Sequence, residues 1–172
     1  MADMNLWVGV VGTIVGATIA GGLMLLKEVG QRKHARQTER RALVIHKLEQ
    51  LHQELTDIDA AIGNLSIDLI GVAALGEKLD LSRYTQKIRV SSVMMLAGFY
   101  APQLLPHLQP LQKALVEFYQ ITWKLGTTKE ASESERLAIA EEGMKAAAKV
   151  KDVINTANKA LENVARSEIH GA

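Results

Sequence analysis

A long uncharged run lies near the amino terminus of the chain, from Leu6 to Leu26. It contains no Asp, Glu, Lys, Arg, His or Pro. A helix rises 1.5 Å per residue, so about 20 such residues cross the ~30 Å hydrocarbon layer of a bilayer. Asp3 and no Lys or Arg precede the run, whereas a cleaved signal peptide begins with positive charge. The pattern predicts one N-terminal transmembrane helix, within residues 1–26.

Positive charge follows this run directly. The basic side chains are Lys27, Arg32, Lys33, Arg36, Arg40 and Arg41. Lys and Arg are enriched on the cytoplasmic side of single-pass proteins. We therefore expect a bacterial inner (plasma) membrane protein with its amino terminus outside and its C-terminal domain in the cytoplasm. Residues 27–41 form a basic juxtamembrane connector in this interpretation, and residues 42–168 form the cytoplasmic domain.

Small residues recur every four positions along the predicted membrane helix, in two columns. One column is Gly9, Thr13, Ala17 and Gly21, and the other is Gly12, Gly16 and Ala20. Small side chains at this spacing let two helix backbones approach closely in lipid. Glycine is also common in membrane helices that stay single. Because two faces carry the spacing, we predict a homo-oligomer, with these residues at the membrane-helix interface.

The clearest periodic signal of the cytoplasmic part is an unbroken 4-3 spacing of apolar residues from Val44 to Val72. Four heptads of this kind predict one long helix, from about Thr38 to Leu75, with a coiled-coil-like seam. Leu65–Leu75 is apolar nearly all round, which predicts burial of that half on several sides. Gly76 is expected to end the helix.

Three further helices follow. Asp80 or Ser82 can cap a helix that ends near Tyr100, and Pro110 suits the first turn of the next. Ser132–Glu135 reads Ser-Glu-Ser-Glu, a capping box that starts a final long helix to about Arg166. Its inward positions are predicted to be Leu137, Ala140, Met144, Ala147, Val150, Ile154, Ala157, Leu161 and Val164.

The fold class is therefore all-α: one transmembrane helix and a cytoplasmic bundle of two long and two short helices. The long pair can align antiparallel, and the short pair covers only part of it. We expect a second copy of the chain to cover the remainder. The apolar stretches Ala60–Leu75 and Val90–Leu105 could instead form a membrane-inserting hairpin. Runs of this length are more often buried core helices, which is the interpretation we favour.

No pattern for catalysis or metal binding is complete. The chain has no Cys, which excludes thiolate catalysis, disulfides and Cys-based zinc sites. Glu49 and His52 form a single Glu-x-x-His, whereas carboxylate di-metal bundles need two such motifs and two more Glu. Gly71–Lys78 lacks the spacing, the Ser or Thr and the preceding strand of a phosphate loop. We expect neither an enzyme nor a cofactor, and no duplex nucleic acid partner.

One group of cations could hold a small anionic ligand. Its members, at the predicted start of the third helix, are Lys78, Arg83, Lys87 and Arg89, together with Tyr84. Arg83 and Lys87 would share one helix face, the free N–H groups of the helix start favour anions, and Tyr84 could stack on a base. The alternative is a solvated basic surface without a ligand.

Two classes of function fit these features. In the first, the bundle binds a ligand or a partner, changes the packing of the membrane helices and perturbs the bilayer. This domain plan is similar to that of small membrane-anchored effectors of bacterial antiphage defence. That resemblance implies an antiviral role and a nucleotide second messenger as the ligand. In the second class the chain is a passive tether or scaffold that uses its long coiled-coil helix. A phage-encoded membrane protein is a further alternative.

Overall fold

The computed structural model describes residues 2–75, 79–127 and 131–170, with side chains from Ala35 to Ile169 within these ranges. All regular structure in these ranges is helical, which confirms the all-α prediction. The helices are α1 (Ala2–Leu75), α2 (Ser82–Thr85), α3 (Val90–Tyr100), α4 (Leu105–Thr127) and α5 (Glu133–His170). A 3-10 turn, Pro102–Leu104, joins α3 to α4. The chain divides into two units, Met1–Leu43 and Val44–Ala172, and the second unit contains the helical bundle.

The 4-3 seam of α1 forms the centre of this second unit. Its buried members are Leu48, Leu51, Leu55, Ile58, Ile62, Leu65, Leu69 and Val72. The predicted seam is therefore confirmed. The prediction that the second half of α1 is buried on several sides is wrong, because Ile67, Ile70 and Leu75 are exposed. These side chains point away from the seam, and no helix among the described residues packs over them.

Helices α1 and α5 run antiparallel, as predicted for the long pair. His52 of α1 lies 3.1 Å from Asn158 of α5, measured from Nδ1 to Oδ1. A Cβ atom built at Gly63 would lie 3.4 Å from Lys151 Nζ. Further along, a Cβ at Gly143 of α5 would lie 3.0 Å from Leu69 Cδ1. Residue numbers rise on one helix as they fall on the other, so the two helices pack along most of the bundle.

Helix α4 also packs against α5 and runs antiparallel to it. Lys149 Nζ donates to Glu117 Oε1 at 2.6 Å, and Ile121 approaches Gly143. The prediction that Pro110 opens this helix is wrong, since α4 begins five residues earlier, at Leu105. A proline inside a helix removes one backbone hydrogen bond. Burial of Leu108 and Leu111 on the same stripe offsets that cost, at about 1.5–3 kcal/mol for each side chain.

The predicted helix from about Ser82 to Tyr100 is broken between Thr85 and Val90. On an unbroken helix Tyr84 and Ile88 would share one face, because they are four residues apart. In the structure Tyr84 bonds to Asp68 of α1, whereas Ile88 borders a groove beside α4. The break therefore lets this segment contact two helices at once.

Helix α5 begins with the predicted capping box. The Ser132 backbone N–H donates to Glu135 Oε2 at 2.9 Å, and the Glu135 N–H donates to Ser132 Oγ at 3.3 Å. The bonds from Ser132 hold the pKa of the Glu135 carboxyl below its usual value. Two predicted inward residues, Leu137 and Met144, are exposed instead. Gly143 brings α5 close to Leu69, so the buried stripe runs through Gly143 rather than through Met144.

The close approach at Gly143 makes a testable prediction. Gly143→Val should lower the melting temperature of the full-length chain, because its Cβ would meet Leu69 at 3.0 Å and Ile121 at 3.6 Å. Overpacking of a core costs about 1–3 kcal/mol. The measurement is thermal unfolding followed by circular dichroism. Gly98→Ala is the control, since nothing lies within 4 Å of a Cβ there and alanine favours helix by up to about 1 kcal/mol. A Gly143→Val chain that melts at or above the parent temperature contradicts the packing.

Candidate functional site

The predicted cation cluster lies in the segment that joins α1 to α3. Arg83 and Tyr84 belong to α2, Lys87 lies in the turn after it, and Arg89 immediately precedes α3. Lys78 lies outside the described residues. The expectation that Arg83 and Lys87 share one helix face is wrong, because α2 ends at Thr85. With only four residues, α2 also offers little of the helix N-terminus on which that expectation depended.

Arg83 is engaged by a carboxylate of its own loop. Its Nε lies 3.2 Å from Asp80 Oδ2. Asp80 also accepts hydrogen bonds from Ser82, at 2.6 Å from the hydroxyl and at 3.1 Å from the backbone N–H. These bonds, with a smaller contribution from Arg83, hold the pKa of the Asp80 carboxyl below its usual value. The loop therefore carries its own negative charge next to Arg83.

Arg89 faces a buried carboxylate on α1. Its Nη1 lies 3.8 Å from Glu54 Oε1, and the Ser92 hydroxyl donates to the same oxygen at 3.2 Å. Glu54 is one of two buried polar or charged residues in the described core. Its second oxygen, Oε2, is buried and has no hydrogen-bond partner among the described residues. Glu54 thus ties the start of α3 to the middle of α1.

Tyr84 is held by Asp68 rather than left free to stack. The phenol donates to Asp68 Oδ2 at 2.5 Å, and its ring packs partly buried against the core. This hydrogen bond, with burial as a second cause, raises the pKa of the Tyr84 phenol above its usual value. The contact ties α2 to α1 some fourteen residues beyond Glu54.

The structure thus brings the four described residues into one segment but turns three of them toward acidic partners. Lys87 is the only one of the four that has no carboxylate partner among the described residues. Pairing reduces the positive charge available to an anion, since each ion pair must open before a ligand can replace it. The ligand role of Arg83, Tyr84, Lys87 and Arg89 stays a prediction.

The other predicted interface concerns the membrane helix. Its small residues, Gly9, Gly12, Thr13, Gly16, Ala17, Ala20 and Gly21, belong to α1, and their side chains lie outside the described residues. Within the described side chains, one helix near the amino terminus, Ala35–Leu75, is long and apolar enough to cross a membrane. Buried residues make up 39% of its most apolar 18-residue window, so this stretch also serves as core.

Two surface grooves in the bundle were not predicted. The α1–α5 groove, of about 480 Å³, lies where α3 and α4 do not reach and is bordered by Ile45, His52, Asn158 and Ile169. The α2–α4 groove, of about 400 Å³, is lined by Thr85, Ile88, Val90, Gln112, Leu115, Val116 and Tyr119. Both floors are mainly apolar. Neither could be deduced from the sequence, since each depends on how short helices align beside long ones.

Large apolar side chains are also exposed on α1 and α5 near the Leu69–Gly143 contact, and this group is here called the outer patch. Its members are Ile67, Ile70, Leu75, Leu137 and Met144. The Leu69–Gly143 contact fixes their register, so that Leu75 and Leu137 lie at one level, six residues beyond that contact on each helix. Single exposed apolar residues are ordinary, but several large ones at neighbouring levels of two packed helices indicate a contact surface.

The described residues contain no group of three or more His, Cys, Asp or Glu side chains that could hold a metal ion. His52 and Glu49 are exposed, and His52 pairs with Asn158 across the two long helices. Comparison with protein-family models, curated proteins and solved structures gives no match.

The Tyr84–Asp68 bond gives a prediction with a defined pH dependence. Tyr84→Phe should destabilise the full-length chain by about 1 kcal/mol at neutral pH, because a hydrogen bond to a carboxylate is lost at a partly exposed site. The folded-state pKa of Tyr84 is raised, so its contribution is complete below about pH 10 and is lost as the pH rises further. The difference in melting temperature between parent and variant should therefore shrink above that pH.

Tyr100→Phe is the matched control, because no hydrogen bond involves the Tyr100 hydroxyl in the described structure. It should melt within about 0.5 kcal/mol of the parent at every pH. Equal melting of Tyr84→Phe and the parent at pH 7 would show that the bond does not hold α2 on α1.

Proposed function

We propose that this chain is a membrane-anchored, non-enzymatic scaffold whose helical bundle works through contact between copies of the chain. The observation that carries the proposal is the outer patch, which leaves five large apolar side chains of α1 and α5 exposed to water. Covering them in an oligomer would remove apolar area from water, at about 25 cal/mol for each Å². A scaffold built in this way presents several bundles at one place on the membrane.

The anchoring part of the proposal has two supports. The uncharged run Leu6–Leu26 has the length and composition of a spanning helix. The cations that follow it favour a cytoplasmic bundle in a bacterial inner membrane. The small-residue columns in the same run suit close packing of several membrane helices, so membrane segment and bundle would favour the same association.

An effector that senses an anionic nucleotide and perturbs the bilayer is the second interpretation, with a role in antiviral defence. Lys87 is an exposed cation in the segment where that ligand was predicted. The pairing of Arg83 with Asp80, and of Arg89 with Glu54, argues against an open anion site. The scaffold interpretation needs no ligand and therefore has the stronger support.

The first test concerns anchoring. Full-length protein expressed in bacteria should remain in the membrane pellet after an alkaline wash, because withdrawing about 20 apolar residues from lipid is unfavourable. A reporter fused after Ala172 should be active only if it is cytoplasmic. A variant with Ile14→Lys and Ile19→Lys should leave the pellet, since each charge in the centre of the run costs about 3 kcal/mol. Release of the parent, or a reporter active only outside, contradicts the anchoring or its direction.

The second test concerns the outer patch. Ile67→Lys combined with Ile70→Lys should weaken self-association of the full-length chain in neutral detergent by tenfold or more, because two apolar contacts are replaced by buried charge. Sedimentation velocity over a range of protein concentrations measures the association. Folding should persist, since both positions are exposed.

Gln109→Lys with Gln120→Lys is the control, which adds the same charge at exposed positions of α4. If both pairs of substitutions leave association unchanged, the outer patch is not the contact between copies. A nucleotide that raises the melting temperature of the parent, and not that of a chain with Arg83→Ala and Lys87→Ala, would favour the sensing effector instead.

A further inference from the structure

Charge is unevenly divided between the two sides of the bundle. Residues 79–127, which form α2, α3 and α4, contain five Lys and Arg against two Asp and Glu. Residues 44–75 of α1 contain one Lys against five Asp and Glu. Both acids of the first segment are engaged, Asp80 with Arg83 and Glu117 with Lys149. Arg83 and Arg89 are themselves paired, with Asp80 and Glu54, so the excess positive charge of the surface made by α2, α3 and α4, here called the α2–α4 surface, rests mainly on its lysines.

The same surface exposes large apolar side chains. Phe99 on α3 is 77% exposed and Trp123 on α4 is 66% exposed, and Met95 and Val116 are at least half exposed. The α2–α4 groove opens on this side, with Val116 in its wall. Aromatic and aliphatic side chains of this size are costly to leave in water and mark a surface that contacts something.

Two lysines border the groove without a carboxylate partner in the described part of the chain. Lys87 lies between the lining residues Thr85 and Ile88, and Lys113 follows the lining residue Gln112. Lysine lays its aliphatic stem along apolar surface while its ammonium stays in a polar layer. Cations at the edges of an apolar groove, with Tyr119 in its wall and Trp123 exposed on the same helix, match the layered chemistry of a bilayer with anionic head groups.

We propose that the α2–α4 surface docks on an anionic lipid bilayer, with Trp123 and Val116 entering the interface and Lys87 and Lys113 contacting lipid phosphates. A second copy is a poorer occupant of this surface, because two such surfaces face to face would oppose like charges. The inference depends on the proposed anchoring, which keeps the bundle close to the membrane. It adds a second contact with the bilayer, made by the bundle itself.

The experiment uses the full-length chain with Trp7→Phe, so that Trp123 is the only tryptophan. The protein is reconstituted into vesicles of phosphatidylcholine alone or with phosphatidylglycerol, with and without brominated acyl chains. Docking should shift the Trp123 emission to shorter wavelength and allow quenching by bromine only in the anionic vesicles. Raising the salt from about 0.1 M to about 1 M shortens the Debye length from about 10 Å to about 3 Å and should reverse both signals.

Lys87→Glu combined with Lys113→Glu should reduce the ratio of docked to free bundle by about fivefold for each lysine removed, and further for each acid added. The control is Lys145→Glu with Lys159→Glu, which changes the charge equally on exposed positions of α5. It should retain the anionic-lipid signal. Circular dichroism checks that all chains are folded.

Four results would overturn the inference. Equal quenching of Trp123 in neutral and anionic vesicles would show that docking does not depend on the charge of the lipid. An equal loss of the Trp123 signal in the α5 control would show that the net charge of the protein, rather than the α2–α4 surface, causes the docking. A shift in Trp123 emission that depends on the protein-to-lipid ratio instead of lipid charge would show that the surface contacts a second copy of the chain. Flotation with neutral vesicles tests anchoring separately, so a chain that floats with unquenched Trp123 refutes the docking and leaves the anchoring intact.

Discussion

The apolar seam of α1 organises the bundle, because its side chains are buried along their whole length and need neighbouring helices to cover them. The seam runs from Leu48 to Val72, and α5 is the one other helix long enough to follow it. Gly143 allows these two backbones to approach until a single methyl group would crowd Leu69. Helices α3 and α4 then fill the remaining sides over part of that length. This unequal pairing leaves the grooves and the outer patch uncovered.

Polar contacts serve a different purpose in this bundle from apolar ones. Burial along the seam is not directional and would tolerate several positions of the short segment after α1. Glu54 and Asp68 fix a single position of this segment, because Ser92 and Tyr84 must each reach a particular carboxylate. The same acids take up charge and donors that a ligand would otherwise use. Contacts within the fold and anion binding thus compete for the same side chains, and in this chain the contacts within the fold occupy them.

The sequence predicted the features that depend on periodicity and local capping. The 4-3 spacing identified the buried face of α1, and Ser132 with Glu135 identified the start of α5, since both signals lie within one helix. The sequence-based prediction failed where the packing of two helices determines which residue is buried. Met144 fits the helical period as well as Gly143 does, and only the distance to Leu69 determines which faces inward.

The candidate site shows the same limit. The cations of residues 83–89 were visible in the sequence, but their carboxylate partners were not. Glu54 is separated from Arg89 by thirty-five residues, and no local pattern indicates that the two will meet. The sequence did indicate that Glu54 lies at the edge of the seam, since it directly precedes Leu55 and lies three residues after Leu51. A carboxylate beside a buried seam needs a donor, and the break in the helix after Thr85 supplies it.

The unpaired oxygen of Glu54 bears on how the bundle opens. Its Oε2 atom is buried without a partner among the described residues, so part of the hydration free energy of that carboxylate is forfeited while α3 is docked. Lifting α3 from α1 would restore that hydration and offset part of the apolar contact that is lost. The contact between α5 and α1 is long and mostly apolar, so separating these two helices would expose the seam itself. We therefore expect a graded stability, in which α3 is released from α1 before the α1–α5 pair separates.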